Sequence, residues 1–176
     1  MSLQIYILGV LCEGYHHPYD VKKMLKHNNA DDLYKVSDGT LYYNFEALLK
    51  KGCIEKIEVS REDNRPEKTT YGITPKGREV LEQEIYASFK NFKGMRAIYA
   101  STLFQKYADK QKLIYLIEDL IDNLQAKNDY YNKVWTTLQH ETPEEFHLVK
   151  EYTHNQMIID LEWMQKLLDF VRRRPE

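Results

Sequence analysis

The sequence predicts a mainly α-helical fold in two parts, a compact N-terminal domain with one β-hairpin followed by a C-terminal arm of long helices. Three observations predict it. Apolar residues recur at helical spacing over most of the 176 residues. A single stretch, residues 53–73, instead alternates like a pair of strands around a polar turn. Beyond residue 108, two apolar seams each run for about 30 residues, far longer than an ordinary globular helix.

Along the chain, residues 3–13 form a nearly all-apolar helix stopped at Gly14, and His16-His17-Pro18 reads as a turn. A second helix runs from Tyr19 to about His27, with Val21, Met24 and Leu25 inward and Lys22, Lys23 and Lys26 outward. Residues 28–32 read as a loop. Ser37 is a strong N-cap for a third helix, 38–51, closed by Gly52. Leu41, Phe45, Leu48 and Leu49 make its core stripe. Gly39, Thr40, Tyr43, Ala47 and Lys50 make the opposite face, with Asn44 on its flank. Small and hydroxyl-bearing residues in the first turns suit close approach to a groove, and equally an ordinary solvated face.

Residues 53–59 place Cys53, Ile57 and Val59 on one face and Lys56 and Glu58 on the other, as a strand does. Residues 61–67 are polar and turn-rich, and 68–73 return as a second strand. The hairpin carries Arg61 and Arg65 near its tip and Lys68 at its base. Thr74-Pro75 then opens a fourth helix with Val80, Leu81 and Ile85 inward. Three helices, a hairpin and a helix in this order make a winged helix-turn-helix, in which the third helix enters a major groove and the wing lies along phosphates. Asp38 and Glu46 oppose that use, and are expected to point sideways or to pair with lysines.

Residues 88–96 around Gly94 read as a hinge, which gives domains at 1–87 and 97–176. After a short helix at 97–107, Asp109 caps a long helix to about Gln139. Its seam holds Leu113, Leu116, Ile117, Leu120, Ile121 and Leu124, continued by Tyr131, Val134, Trp135 and Leu138. Thr142-Pro143-Glu144-Glu145 is a capping box. The last helix carries Phe146, Val149, Met157, Ile158, Leu161, Met164, Leu167, Leu168 and Val171. Helices of about 45 Å outreach a domain of this size, so a homodimer joined through the C-terminal helices is expected.

The N-terminal pattern resembles the PadR family of bacterial transcriptional regulators. The resemblance rests on Ser37-Asp-Gly39-Thr40-Leu41-Tyr42, on Leu48, Gly52 and Ile54, on Asn64-Arg65-Pro66, and on Tyr71-Gly-Ile73-Thr74-Pro-Lys-Gly77-Arg78-Glu79. It covers roughly residues 3–82. It departs where Tyr43 replaces the usual proline and where Pro18-Tyr19 opens the second helix. The resemblance implies a repressor bound to palindromic double-stranded DNA as a homodimer, released by a small aromatic or apolar effector. It places Ser37, Gly39, Thr40, Tyr42 and Asn44 at or near DNA, with Arg61, Arg65 and Lys68 on the backbone. Lys22 and Tyr43 complete the expected DNA-binding set, and Tyr131, Trp135 and Trp163 the expected effector pocket.

Composition alone gives no sign of DNA. Net charge is −2; residues 1–96 carry 15 basic and 14 acidic side chains, the remainder 10 and 13. No apolar run suits a membrane span, the first residues have no basic region typical of a signal peptide, and Cys12 and Cys53 read as reduced thiols, so a cytoplasmic address is expected. His147, Glu151 and His154 share a helix face but have no fourth partner, so no metal or cofactor is expected. No catalytic constellation is apparent, which leaves a winged-helix module that binds protein without DNA as the alternative.

Overall fold

The computed structural model describes residues 2–28, 36–60, 68–138 and 143–175. The chain divides into two compact units, Met1–Ala108 and Asp109–Glu176.

The first unit is built around α1 (Ser2–Glu13). Ile5, Tyr6, Ile7, Leu8, Val10 and Leu11 are all buried, and a helix apolar on every side has to be enclosed on every side. It is followed by α2 (Pro18–His27) and α3 (Asp38–Lys50), the hairpin strands β1 (Ile54–Ser60) and β2 (Lys68–Ile73), then α4 (Pro75–Lys90) and α5 (Met95–Leu103), with a 3₁₀ turn at Gln105–Tyr107. Elements α3, β2, α4 and α5 all pack on α1. The loop expected at 28–32 falls largely outside the described residues.

Side chains placed for the purpose start the helices. His17, expected in a plain turn, caps α2: its Nδ1 accepts from the Tyr19 amide at 3.1 Å, with Pro18 at the first helical position. Backbone bonds from His16 to Tyr71 in both directions then add that turn to the edge of β2. Ser37 caps α3, and Thr74 caps α4 by accepting from Gly77 N at 3.0 Å. Gly52 closes α3 at φ +70°, where a side chain would be strained.

The strands pair antiparallel from Ile54–Ile73 to Ser60–Lys68, with an irregularity between Lys56 and Glu58. That bulge corrects the expected alternation. Ile57 is the extra residue and is 41 % exposed, not turned to the core with Cys53. Leu41, Phe45 and Leu48 bury the inner face of α3 as expected.

The stretch expected as a hinge is bracketed by packed helices. Residues 88–90 complete α4, and Gly94 at φ +96° starts α5. The α5 residues Ile98, Ala100 and Ser101 are buried, and Ser88 Oγ donates to Ser101 Oγ at 2.7 Å. Helix α5 therefore belongs to the first unit, and the division falls at Ala108–Asp109 instead of near 97. Gly9 explains why. A Cβ there would stand 2.2 Å from the Phe104 ring, so the missing side chain makes the seat for Phe104, whose ring also meets Tyr6 edge-on at 5.6 Å.

The second unit is a pair of helices, α6 (Lys110–Leu138) and α7 (Glu144–Arg173), packed along each other. Asp109 Oδ1 accepts from Lys112 N at 2.7 Å at the start of α6. Thr142 lies outside the described residues, and Pro143 immediately precedes α7. Leu113, Leu116 and Ile117 are buried on α6; Met157, Met164, Leu167, Leu168 and Val171 are buried on α7. Phe146 and Val149, expected in the same seam, are exposed instead. Arg172 of α7 pairs with Glu118 of α6 at 2.5 Å.

The Gly9–Phe104 seat predicts that Gly9→Ala destabilises the protein by about 1–3 kcal/mol, because a methyl group has to displace a packed ring. Urea unfolding followed by circular dichroism measures it, and unchanged stability would show that α1 and Phe104 part without cost.

Candidate nucleic-acid interface

The first turn of α3 is the best-defined polar surface of the first unit. Ser37 Oγ accepts from Thr40 N at 3.1 Å and lies 2.9 Å from Thr40 Oγ1, so the two hydroxyls are locked to one another at the positive end of the helix dipole. Ser37, Gly39 and Thr40 are exposed. A Cβ on Gly39 would meet nothing nearer than Ser37 Oγ at 3.9 Å, so the fold itself does not require glycine there. Tyr43 is 70 % exposed and Tyr42 45 % exposed. The Tyr42 ring is set edge-on to His17 at 6.4 Å, which orients it from α2.

Charge at this end is balanced. Lys22 Nζ lies 2.5 Å from Asp38 Oδ1, so one expected DNA contact and one expected obstacle form a single ion pair on the surface. Surface pairs of this kind contribute little to stability. Here the pairing instead removes net charge beside the α3 N-terminus. Glu46 is exposed further along α3. Burial, and then the nearby Glu46 charge, push the Tyr71 hydroxyl above its ordinary range; the Tyr71 ring packs on Phe45 at 5.2 Å.

Asn44 is half-buried, and both its amide nitrogen and its oxygen are hydrogen-bonded. Its Nδ2 donates to Thr40 O at 2.8 Å, and its Oδ1 accepts from Gln4 Nε2 at 3.1 Å. Gln4 and His17 carry no signal of these contacts in the sequence, because the α3 side chains they meet, Asn44 and Tyr42, lie many positions away. On the wing, Arg61 and Arg65 lie outside the described residues, and of Lys68 only the pairing of its backbone with Ser60 is described.

Of the expected effector residues, Tyr131 and Trp135 share a cleft between α6 and α7 with Asn128, Asn132, Lys150, Thr153, His154 and Met157; Trp163 does not line it. Lys150 Nζ lies 5.5 Å from the centre of the Trp135 ring. The enclosed space is about 10 Å³, room for about one water. Asn128 is buried there, and its Oδ1 has no hydrogen-bond partner among the described residues.

A capped helix with an open first turn, carried beside a β-hairpin, defines a winged helix-turn-helix of the kind used by DNA-binding regulators. Residues 7–83 match the model of the transcriptional regulator PadR-like family. The first domain of this chain is thus similar to that family, whose members are transcriptional regulators and not enzymes. No curated protein matches the chain. Among solved structures it is similar to Bacillus subtilis PadR in complex with operator DNA, at 17% identity, TM-score 0.41, and coverage of 97% of this chain and 99% of that one. It is also similar to smu.1604c from Streptococcus mutans UA159, at 25% identity, TM-score 0.41, and coverage of 96% and 99%. A third, Bacillus subtilis PadR in complex with p-coumaric acid, has 18% identity, TM-score 0.38, and coverage of 98% and 100%.

The Ser37 cap predicts that Ser37→Ala lowers stability by about 0.5–2 kcal/mol, whereas Ser37→Asp, which caps equally well, keeps it. Thermal melting of the two variants distinguishes a capping role from a general loss of a surface hydroxyl, which would affect both alike.

Proposed function

We propose that this protein represses transcription by binding a palindromic duplex as a homodimer, with α3 in the major groove and the hairpin along the phosphates. The open first turn of α3 carries the reading. Ser37, Gly39 and Thr40 offer hydroxyls and backbone N–H groups at a helix N-terminus, where a phosphate is favoured, without a bulky side chain in the way. Tyr42 and Tyr43 extend this surface, and Arg61, Arg65 and Lys68 would supply the wing's cations. Lys22 contributes on exchanging Asp38 for a phosphate.

The second copy is expected on the outer face of α7. Leu148, Tyr152, Ile159 and Phe170 are exposed, and Trp163 is half-buried. Their spacing of four, seven, four and seven residues puts all five on one stripe, opposite the buried Met157 and Met164. The helix begins with Glu144 and Glu145 and ends with Arg172 and Arg173. An antiparallel second copy of α7 covers the stripe and brings the acidic first turn of each helix to the basic last turn of the other. The unit Asp109–Glu176 thereby acts as the dimerisation arm. Release by a small aromatic or apolar effector, which the family resemblance implies, would require the cleft at Tyr131 and Trp135 to widen beyond its present size.

Gly39→Ala is expected to leave stability unchanged or raise it by up to about 1 kcal/mol, while weakening duplex binding about tenfold by holding α3 away from the groove. Fluorescence anisotropy on a selected duplex tests this, and undiminished affinity would remove the first turn from the interface. Binding should also fall steeply as salt is raised, because phosphate contacts release counterions. A protein-binding module without DNA contact would show no duplex binding even at low salt. Ile159→Lys combined with Phe170→Lys should convert the dimer to a monomer by light scattering with its helix content retained. A dimer that survives both changes would exclude the outer stripe of α7.

A further inference from the structure

Asn44 has the side chain best suited by chemistry to read a base in α3, since an asparagine amide can pair with both edge groups of adenine. Its geometry points elsewhere. The amide is folded back onto the Thr40 carbonyl one turn earlier, at 2.8 Å, and so lies along the helix instead of reaching out from it. Its oxygen is taken by Gln4 Nε2 at 3.1 Å, across 40 residues of sequence. Gln4 is held in turn by Lys51 Nζ, 3.5 Å from its Oε1 at the far end of α3. Gln4 belongs to α1, whose next residues from Ile5 onward are buried, so its backbone is anchored in the core of the unit.

We infer that Gln4 and Asn44 form a positioning strut, which fixes the angle of α3 relative to the buried α1, and that base reading falls to Thr40 and Tyr43. The inference rests on α3 being the DNA-reading helix. Thr40 and Tyr43 are exposed on the open face. The Thr40 hydroxyl is already oriented by Ser37 Oγ at 2.9 Å, and such a hydroxyl can donate to or accept from a base edge. The Asn44 strut grips the carbonyl of the same Thr40, so the residue that reads and the residue that positions are joined through one backbone group. Lys51 Nζ, at the C-cap of α3, stands at the long distance of 3.5 Å from the same Gln4 side chain, on the exposed surface.

The test is selection of bound duplexes from a random pool, with affinities measured for the wild type, Gln4→Met, Asn44→Leu, the double variant and Tyr43→Ala. Gln4→Met keeps the shape and helix propensity of the side chain and removes only its hydrogen bonds. A strut predicts that Gln4→Met and Asn44→Leu each weaken binding to all duplexes about three- to tenfold, and that both select the wild-type sequence. The double variant should be no weaker than the weaker single one, since each change breaks the same link. Tyr43→Ala should instead lose preference at a defined base pair. The strut is overturned if Asn44→Leu loses preference at one base pair while Gln4→Met does not, because Asn44 would then be a reader. It is also overturned if neither substitution alters affinity. Circular dichroism melting of each variant keeps a folding defect from being counted as a binding one. Should the wild type itself enrich no duplex, the DNA reading fails, and the strut fails with it.

Discussion

The first unit depends on the enclosure of α1. Six apolar side chains on this 12-residue helix are removed from water, so it has no face left for solvent and acts as the axle on which the other elements are set. Elements α3, β2, α4 and α5 are placed by their contact with it. One close contact is the Phe104 ring against Gly9. It draws the segment after Gly94 back onto the N-terminal helix. The 176-residue chain is therefore divided after residue 108, and the family match over residues 7–83 covers most but not all of the folded unit it belongs to.

Much of this was legible in the sequence because local rules and the fold agreed. Ser37, Gly52, Thr74 and Pro75 mark helix ends through their own chemistry, and the structure uses each of them in that role. The inner stripe of α3 followed from spacing alone. What could not be read depended on partners distant in sequence. A glycine in an apolar helix announces a close approach but not which ring fills it, so α5 was assigned to the arm. Ile57 fits a strand alternation by type and breaks it in place, because the bulge is set by the register with β2. The hydrogen bond from Gln4 to the asparagine on α3 could not be read either, because the two lie 40 residues apart. The arm departs from expectation in one respect: Phe146 and Val149 lie on the same helix face as the buried Met164 and Leu167 yet are exposed, because a helical period says which face a residue occupies and not whether anything covers it there.

The surface presented by α3 is nearly uncharged by construction. Lys22 and Asp38 cancel one another at its N-terminus, and what else is exposed in its first turns is a glycine, hydroxyls and tyrosine rings, with Glu46 and Lys50 further along. Such a surface relies on fit more than on long-range attraction, because balanced charges exert little field beyond a Debye length of about 10 Å. Under the proposed reading, discrimination between duplexes would rest on how accurately α3 is held, and so on the ties from α1 and α2 to its side chains as well as on the side chains themselves.

The small hairpin also bears on how safely this protein can be made and stored. A two-stranded sheet has two open margins, and an unpaired strand margin is a template on which other chains can add. Here both are blunted close to the body of the domain. His16 occupies the outer side of β2 at Tyr71, and the irregularity at Ile57 disrupts the straight run of β1. With both margins interrupted in this way, the hairpin offers other chains a poorer template for edge-to-edge pairing.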